Sequence, residues 1–479
     1  MDKAQIVLIT LVVYKLVLVG IGFWASKRTS DGDDFFLGGR GLGPVVAALS
    51  YSSSAASAWV LLGLSGIAYV YGLSTLWVAF GSITSMFVVW YWIAPRLMKF
   101  SRQHEHITLT QVVVHQSSGG IRSAIVWASS LIIVFSFVFY IAAQFQGAGN
   151  TFATTFDMSM SNSIMLGAFI IMIYTLLGGF WAVSVTDALQ GSLMALTAIV
   201  LPIGAFVAVG GIDGLIAGLI EVSTDAQLSF TAANAGLVAV GIVSGGLSIG
   251  FGTYGQPHLM ARIMALRDEK AMRQARLITI GWYFVVFLGM WFVGLVGHVL
   301  HGGLENSEQI FFVMLDSLFP PVFAAILLAA VLSAIMSTAD SQLLSAAAAI
   351  AHDLGLANQN PKTVLLISRI TIVALVLVAV LVAINLPDKI FSRVLFAWMA
   401  LGAAFGPTLF ARLLGARIKA VGVLLSILTG FALTVVLSFQ ANAPGDIAER
   451  LIPFVVASFV LVLFRAGAKS DHAEAGKGS

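Results

Sequence analysis

Uncharged apolar runs of about twenty residues, the length that crosses the hydrocarbon of a bilayer as one helix, recur along nearly the whole of this chain. Only 10% of its 479 residues are charged, against roughly a quarter in soluble domains. The chain therefore reads as an all-α, polytopic membrane protein in which each helix satisfies its own backbone. The first run, Ile6 to Trp24, is long enough to span and has no cleavage signal after it. It reads as a retained helix and not as a signal peptide. There is no cysteine, which excludes disulfides and thiolate metal sites.

Thirteen spans are predicted, roughly 5–26, 44–72, 74–98, 120–150, 160–180, 186–209, 234–254, 277–301, 321–350, 364–386, 389–413, 419–440 and 451–467. An odd number puts the termini on opposite sides. Of the 25 Lys and Arg, Lys3, Lys389, Arg393 and Arg450 fall on one set of loop faces and Lys15 falls within the first span. All the others, Arg262 among them, fall on the opposite faces. Cytoplasmic loops hold the excess of Lys and Arg. A multi-pass plasma (inner) membrane protein is expected, with its N-terminus outside and its C-terminus in the cytoplasm. Residues 468–479 read as a short disordered cytoplasmic tail. The net charge of +3 follows from membrane orientation and not from nucleic-acid binding. The expected partners are the bilayer and a small-molecule solute, with no obligate protein partner evident.

Two spans are interrupted in the same way. Val45 to Val70 is broken by Ser50, Tyr51, Ser52, Ser53, Ser54 and Ser57, and Ala235 to Tyr254 by Ser244, Gly245, Gly246, Gly250 and Gly252. Irregular backbone persists at membrane depth only where it faces protein or a wet cavity. Matched broken spans in two halves of a chain point to a transporter's binding site. Residues 44–209 and 234–413 then form two five-span groups of opposite orientation, an inverted repeat. They lie within a single transporter domain, 5–467, to which 1–43 and 419–467 are peripheral additions.

The chemistry concentrates opposite the first break. Ala334, Ser337, Thr338 and Ser341 share one helical face of the ninth span. Hydroxyl and carbonyl oxygens suit a hard cation such as sodium, although Ser and Thr also glue helices together. Asp340 lies within the same span, and a carboxylate at that depth marks an ion or proton pathway. Asp187 opens the sixth span and reads either as part of such a pathway or as a helix cap. Tyr140, Gln144 and Gly147 share a face of the fourth span, able to orient a polar solute or to pack helices. Trp59 could wall the pocket. Lys15 reads as a residue that snorkels or pairs locally. His104, His106 and His258 read as solvated loop histidines. No Walker loop, nucleophile elbow or dinucleotide fingerprint is present, so the chain does not read as an enzyme.

Five segments in order carry a resemblance. They are Phe36-Leu37-Gly38-Gly39-Arg40-Gly41-Leu42-Gly43-Pro44, Gly178-Gly179-Phe180-Trp181-Ala182-Val183 leading to Thr186-Asp187, Gly255-Gln256-Pro257-His258 leading to Ala261-Arg262, Ala334-Ile335-Met336-Ser337-Thr338, and Ala404-Phe405-Gly406-Pro407. Together they resemble the sodium:solute symporter family, nearest its sodium/proline branch. The resemblance implies a LeuT-like core of two inverted five-helix repeats and co-transported sodium. It implies a sodium site of backbone carbonyls near Ser53 and Ala56, the Ala334 carbonyl and the Ser337 and Thr338 hydroxyls. Asp187, Asp340 and Ser341 fall at a second cation or coupling position. The solute pocket would draw on Ser54, Ser57, Trp59, Tyr140, Gln144, Ile249, Thr253 and Pro257. This chain has Ala55 where proline carriers have an aspartate, Ile249 and Thr253 where they have aromatic residues, and Gln144 where they have a small one. The expected activity is sodium-coupled import of L-proline or a related small amino acid. Sodium- or proton-coupled uptake of another solute such as a carboxylate is the alternative, and a transporter-like sensor a further one.

Overall fold

The computed structural model describes residues 3–26, 37–177, 179–355, 361–386, 389–440 and 444–465. Phe36 and Gly178 of the segments quoted above, and the tail 468–479, lie outside these.

The chain runs through α1 (Lys3–Ser26), α2 (Pro44–Ala58), α3 (Ser65–Tyr71), α4 (Leu76–Phe87), α5 (Ala94–Gln103), α6 (Leu109–Val114) and α7 (Gly119–Phe156). It continues through α8 (Met160–Leu177), α9 (Phe180–Ala208), α10 (Gly211–Val222), α11 (Gly236–Ser248), α12 (Pro257–Met264) and α13 (Glu269–Leu300). Last come α14 (Ile310–Leu318), α15 (Pro321–Ala348), α16 (Pro361–Asn385), α17 (Ile390–Leu413), α18 (Ala420–Ser438) and α19 (Ile447–Leu463). Ten helices among the described residues are long and apolar enough to cross a bilayer. One of them is the helical stretch Pro44–Gln103, 60 residues long. Straight, it would reach about 90 Å, roughly three times the hydrocarbon thickness, so it has to fold back.

It does so at Gly72, which ends α3 with φ +64°. The Leu73 amide donates to the Gln227 carbonyl at 2.9 Å, and Gln227 Nε2 donates to the Val70 carbonyl at 2.9 Å. The 223–235 loop thereby closes over the turn. A Cβ on Gly72 would sit 2.2 Å from the Gln227 carbonyl oxygen.

Both predicted breaks are present. The first falls at Ser57, with φ 49° and ψ −169° inside an otherwise helical run, followed by a π-helical turn Trp59–Leu64. A non-glycine residue in such a conformation costs about 1–3 kcal/mol and persists where the surroundings over-determine it. In the second, α11 tightens into a 3-10 segment, Ile249–Gly255, and ends at an extended Gln256. Pro257 restarts the chain as the first residue of α12, where its missing N–H costs nothing.

The middle of α15 is buried without interruption from Leu327 to Leu344. It packs against α1, α2, α7, α9 and α16. The 249–255 segment lies against α17, whose first amides, at Ile390 and Phe391, donate to the Glu308 carboxylate at 3.2 and 3.1 Å. The two breaks thus each face a long, buried, unbroken helix.

Gly72→Ala is expected to cost at least about 1–2 kcal/mol from the left-handed conformation alone. Thermal unfolding of the purified protein would register the loss. An unchanged transition would mean that the turn does not need its glycine.

Candidate functional site

The first break exposes the start of a new helix, and a side chain meets it. Gln144 Oε1 on α7 accepts the Ala58 amide at 3.1 Å, and Ser57 Oγ accepts the Trp59 amide at 3.3 Å. α7 comes this close because Gly147 has no side chain: a Cβ there would lie 3.1 Å from Ala58 Cβ and 3.3 Å from Ile335 Cδ1. The Tyr140 hydroxyl lies beside Ser57 without a well-formed hydrogen bond, and Gln144 Nε2 has no partner. The Tyr140 ring packs edge-on against Trp398 of α17, 6.3 Å between centroids. Gln256 Nε2 bonds the carbonyls of Gly252 and Trp398 at 2.9 and 3.0 Å, leaving its Oε1 free. Buried polar groups without partners carry a desolvation cost, which a polar guest here would relieve. Gln256 and Trp398 are absent from the sequence-based pocket. Gln256 stood within a quoted motif, while a lone Trp in an apolar span carries no signal.

Other predicted pocket residues sit elsewhere. Thr253 pairs with Ser85 of α4 at 3.2 Å. Ile249 contributes its carbonyl, which accepts Trp398 Nε1 at 3.2 Å. Pro257 lines a different, small cavity with Arg262 and Ser341. Ser54 turns away from Tyr140, donating to the Ser337 carbonyl at 2.9 Å and lying 3.0 Å from Ser341 Oγ. Trp59 packs edge-on against Phe287 and Phe391. Phe391 lines a cavity of about 1030 Å³ that also takes in Gly63, Glu308, Lys389 and Arg450. Tyr140 and Gln144 are fully buried.

Oxygens from the first break meet α15 directly. Thr338 Oγ1 donates to the Ser54 carbonyl at 3.0 Å and lies 3.4 Å from that of Ser53. Ser337 Oγ donates to the Ala334 carbonyl at 3.3 Å. Ala56 sits one residue before the kink, where its carbonyl accepts the Trp59 amide. Ser53, Ala56, Ala334, Ser337 and Thr338 are all fully buried. Of these, Thr338 and Ser53 meet across the two helices, Ser337 and Ala334 bond within α15, and Ala56 bonds only within its own stretch of chain; all five offer neutral oxygens of the kind a hard cation takes.

On the same side of α2 lies a buried ion pair. Arg262 of α12 places a guanidinium nitrogen 3.1 Å from Asp187 Oδ2, with the two side chains 1% and 0% exposed. Its Nε donates to Ser50 Oγ at 3.1 Å, a terminal nitrogen to the His258 carbonyl at 2.7 Å, and another to Ser341 Oγ. The Phe180 ring lies 5.2 Å from the guanidinium carbon. Asp187 Oδ2 also accepts Ser50 Oγ at 2.7 Å and Ser54 Oγ at 3.3 Å. The capping alternative for Asp187 fails, because the N-cap is Gly179 and Asp187 lies two turns inside the helix. Asp340 is fully buried; one carboxylate oxygen accepts Ser341 Oγ at 3.3 Å and the other has no partner.

Two further readings change. Arg262, counted by sequence among the loop charges, is the cation of this cluster. His258, read as solvated, is fully buried, with neither ring nitrogen bonded and its ring edge-on to Phe137. A short helix straight after a break folds back into the protein, which a charge count assigns to solvent. His104 and His106 do lie in a loop, stacked on each other and edge-on to His115. Burial, then the neighbouring His115 and His104, push the His106 imidazole down to about 4.

Residues 35–430 match the model of the sodium:solute symporter family. This chain belongs to that family. It is a transporter and not an enzyme. It is 32% identical to the osmoregulated proline transporter OpuE of Bacillus subtilis, over 95% of this chain and 93% of that protein. It is 33% identical to the sodium/proline symporter of Escherichia coli, over 97% of this chain and 94% of that one. Among solved structures, a substrate-bound, outward-open Na+-coupled sialic acid symporter superposes with a TM-score of 0.79 at 17% identity, covering 97% of this chain and 99% of that one. MhsT in complex with L-phenylalanine gives 0.52 at 13% identity, covering 88% and 98%. The fold is LeuT-like.

Removing one partner of a buried pair leaves the other charge stranded, at about 3–5 kcal/mol. Arg262→Met is therefore expected to destabilise the protein more than Arg262→Met with Asp187→Asn, by thermal unfolding. A double variant no more stable than Arg262→Met would deny the pairing. For His106, the folded value lies below the unfolded ~6.5, so the unfolded state binds more protons between these values. Local stability then falls as pH drops from 6.5 toward 4, and the ring stays neutral at pH 6 by NMR of labelled histidine.

Proposed function

We propose that this member of the family imports L-proline or a related small amino acid, driven by sodium entering at the site between the first break and α15. The observation that carries this reading is the Thr338 hydroxyl bridging to the Ser53 and Ser54 carbonyls. That contact sets two carbonyls of the break against a hydroxyl of α15, the kind of neutral oxygens that sodium takes. A sodium ion there would replace weak hydroxyl–carbonyl bonds with direct coordination and hold α2 against α15.

The solute then uses the same break. A helix start presents free N–H groups and the positive end of its dipole to an anion. A carboxylate would take the place of Gln144 Oε1 at the Ala58 amide, freeing Gln144 to bond the solute with Tyr140. The apolar part of a small amino acid would lie against Trp59 and Trp398. No Arg or Lys is needed at that point, because the helix start and the nearby sodium supply the counter-charge.

The large cavity lies on the face of Lys389 and Arg450. On the opposite face, the cavity lined by Thr108, Pro257, Arg262 and Asp353 measures only about 40 Å³. With the N-terminus outside and the C-terminus cytoplasmic, this is an outward-facing state shut inward by Arg262 and Asp187. The segments 44–209 and 234–413 would then rock as two halves. Sodium and solute couple by favouring the same states, so each must raise the other's affinity.

The decisive experiment is uptake of labelled L-proline into liposomes under an inward sodium gradient, with potassium as control. Sodium-driven accumulation is the expected result. Ser337→Ala with Thr338→Ala removes two ligand hydroxyls, each worth about 1 kcal/mol, and should raise the half-saturating sodium concentration by about tenfold or more. An unchanged sodium dependence at equal expression would remove sodium from this site.

A further inference from the structure

The first helix carries a lysine that the scheme above does not use. Lys15 lies near the middle of α1, a helix of 24 residues, about 18 Å along the axis from its first residue. The hydrocarbon half-thickness is about 15 Å, and a lysine side chain is far shorter than that. Snorkelling is therefore not open to it, and the ammonium turns inward. It donates to Met336 Sδ on α15, a weak acceptor. The crossing is fixed one residue away, where the Tyr14 hydroxyl bonds Ser333 Oγ of α15.

Ser333, Met336 and Asp340 follow one another at i, i+3 and i+7 on α15 and share a face. Asp340 is the carboxylate whose field acts on Lys15. It is also the buried acid with an unpartnered oxygen. The other charged or titratable groups facing this region are Tyr14 on α1, Tyr174 on α8, Asp187 on α9 and Arg262 on α12. Tyr174 lies within the fields of Asp340, Asp187 and Tyr14 together. The acids are Asp187 and Asp340. Arg262 holds Asp187 at 3.1 Å, while Asp340 forms no ion pair among the described residues. Lys15 is the remaining cation, and it rests on a thioether. With both cations counted, the cluster is electrically balanced and offers a second sodium no net negative charge.

We propose that Lys15 is the resident cation of Asp340: its ammonium fills the second cation position beside Asp187 and Ser341, so that a single sodium ion, at the Ser53–Thr338 site, accompanies each solute. This rests on the sodium reading given above.

The test is sodium binding to the purified full-length protein, counted by equilibrium binding of radioactive sodium. The wild type should bind one sodium per chain, and Ser337→Ala with Thr338→Ala should weaken it. Lys15→Met should bind two, because it exposes the Asp340 carboxylate. Lys15→Met with Asp340→Asn should return to one. Asp340→Asn alone should still bind one, which keeps the test decisive if Lys15→Met does not fold. A wild type that binds two, or an Asp340→Asn variant that loses a sodium, overturns the assignment of Lys15 while leaving sodium coupling intact. One sodium in Lys15→Met, as in the wild type, overturns it equally. No sodium bound by the wild type overturns the sodium site itself and the one-ion scheme with it.

Discussion

The buried pair between Asp187 and Arg262 ties together four separate pieces of chain. Asp187 sits inside α9, Arg262 on the short helix after the second break, and Ser50, Ser54 and Ser341 come from α2 and α15. An isolated charge at that depth is not tolerated, so each group holds the other in place. The pair thus anchors the second break to the first. The sodium-ligand candidates and the Tyr140 cluster lie along the same stretch of α2, on either side of Ser57.

How much of this is legible in the sequence depends on the kind of force involved. The two breaks are readable because Ser and Gly runs within apolar spans have no place facing lipid. The oxygen-bearing face of α15 is readable from helical spacing alone, and the structure sets it against the break. Arg262 and His258 are not readable, since a charge count assigns short segments between spans to solvent. The folding back of α12 that buries them depends on contacts with α2, α5 and α15. Gln256 and Trp398 are hidden for another reason. Gln256 matters for the oxygen it leaves unbonded and Trp398 for the Tyr140 ring it packs against, and both emerge only when partners are counted in three dimensions. Asp187 shows the converse case, because its second reading as a cap falls once the helix start is seen at Gly179.

Neutral oxygens at the first break and charged groups one turn away divide the work differently from a single acidic site. Ala55 offers no carboxylate at the break, where its carbonyl accepts Trp59 Nε1 at 3.3 Å. The formal charge of the region resides instead on α9, α12, α15 and α1. A cation placed between α2 and α15 is therefore held by dipoles close by and by full charges farther away. Such an arrangement responds strongly to small relative movements of the helices, because Coulomb terms persist in a medium of low dielectric.

Gln144 already occupies the open end of the helix that begins at Ala58. In the proposed site that amide oxygen, tethered in position, would be a decoy, bonded where a visitor's oxygen would go. A visitor with only a carboxamide gains nothing by the exchange, since it offers the same bond and must also surrender its freedom of movement. A carboxylate does gain, because charge-assisted hydrogen bonds are roughly twice as strong as neutral ones. Under the proposed solute site the glutamine would act as a threshold, screening out neutral mimics by competing with them before they are bound.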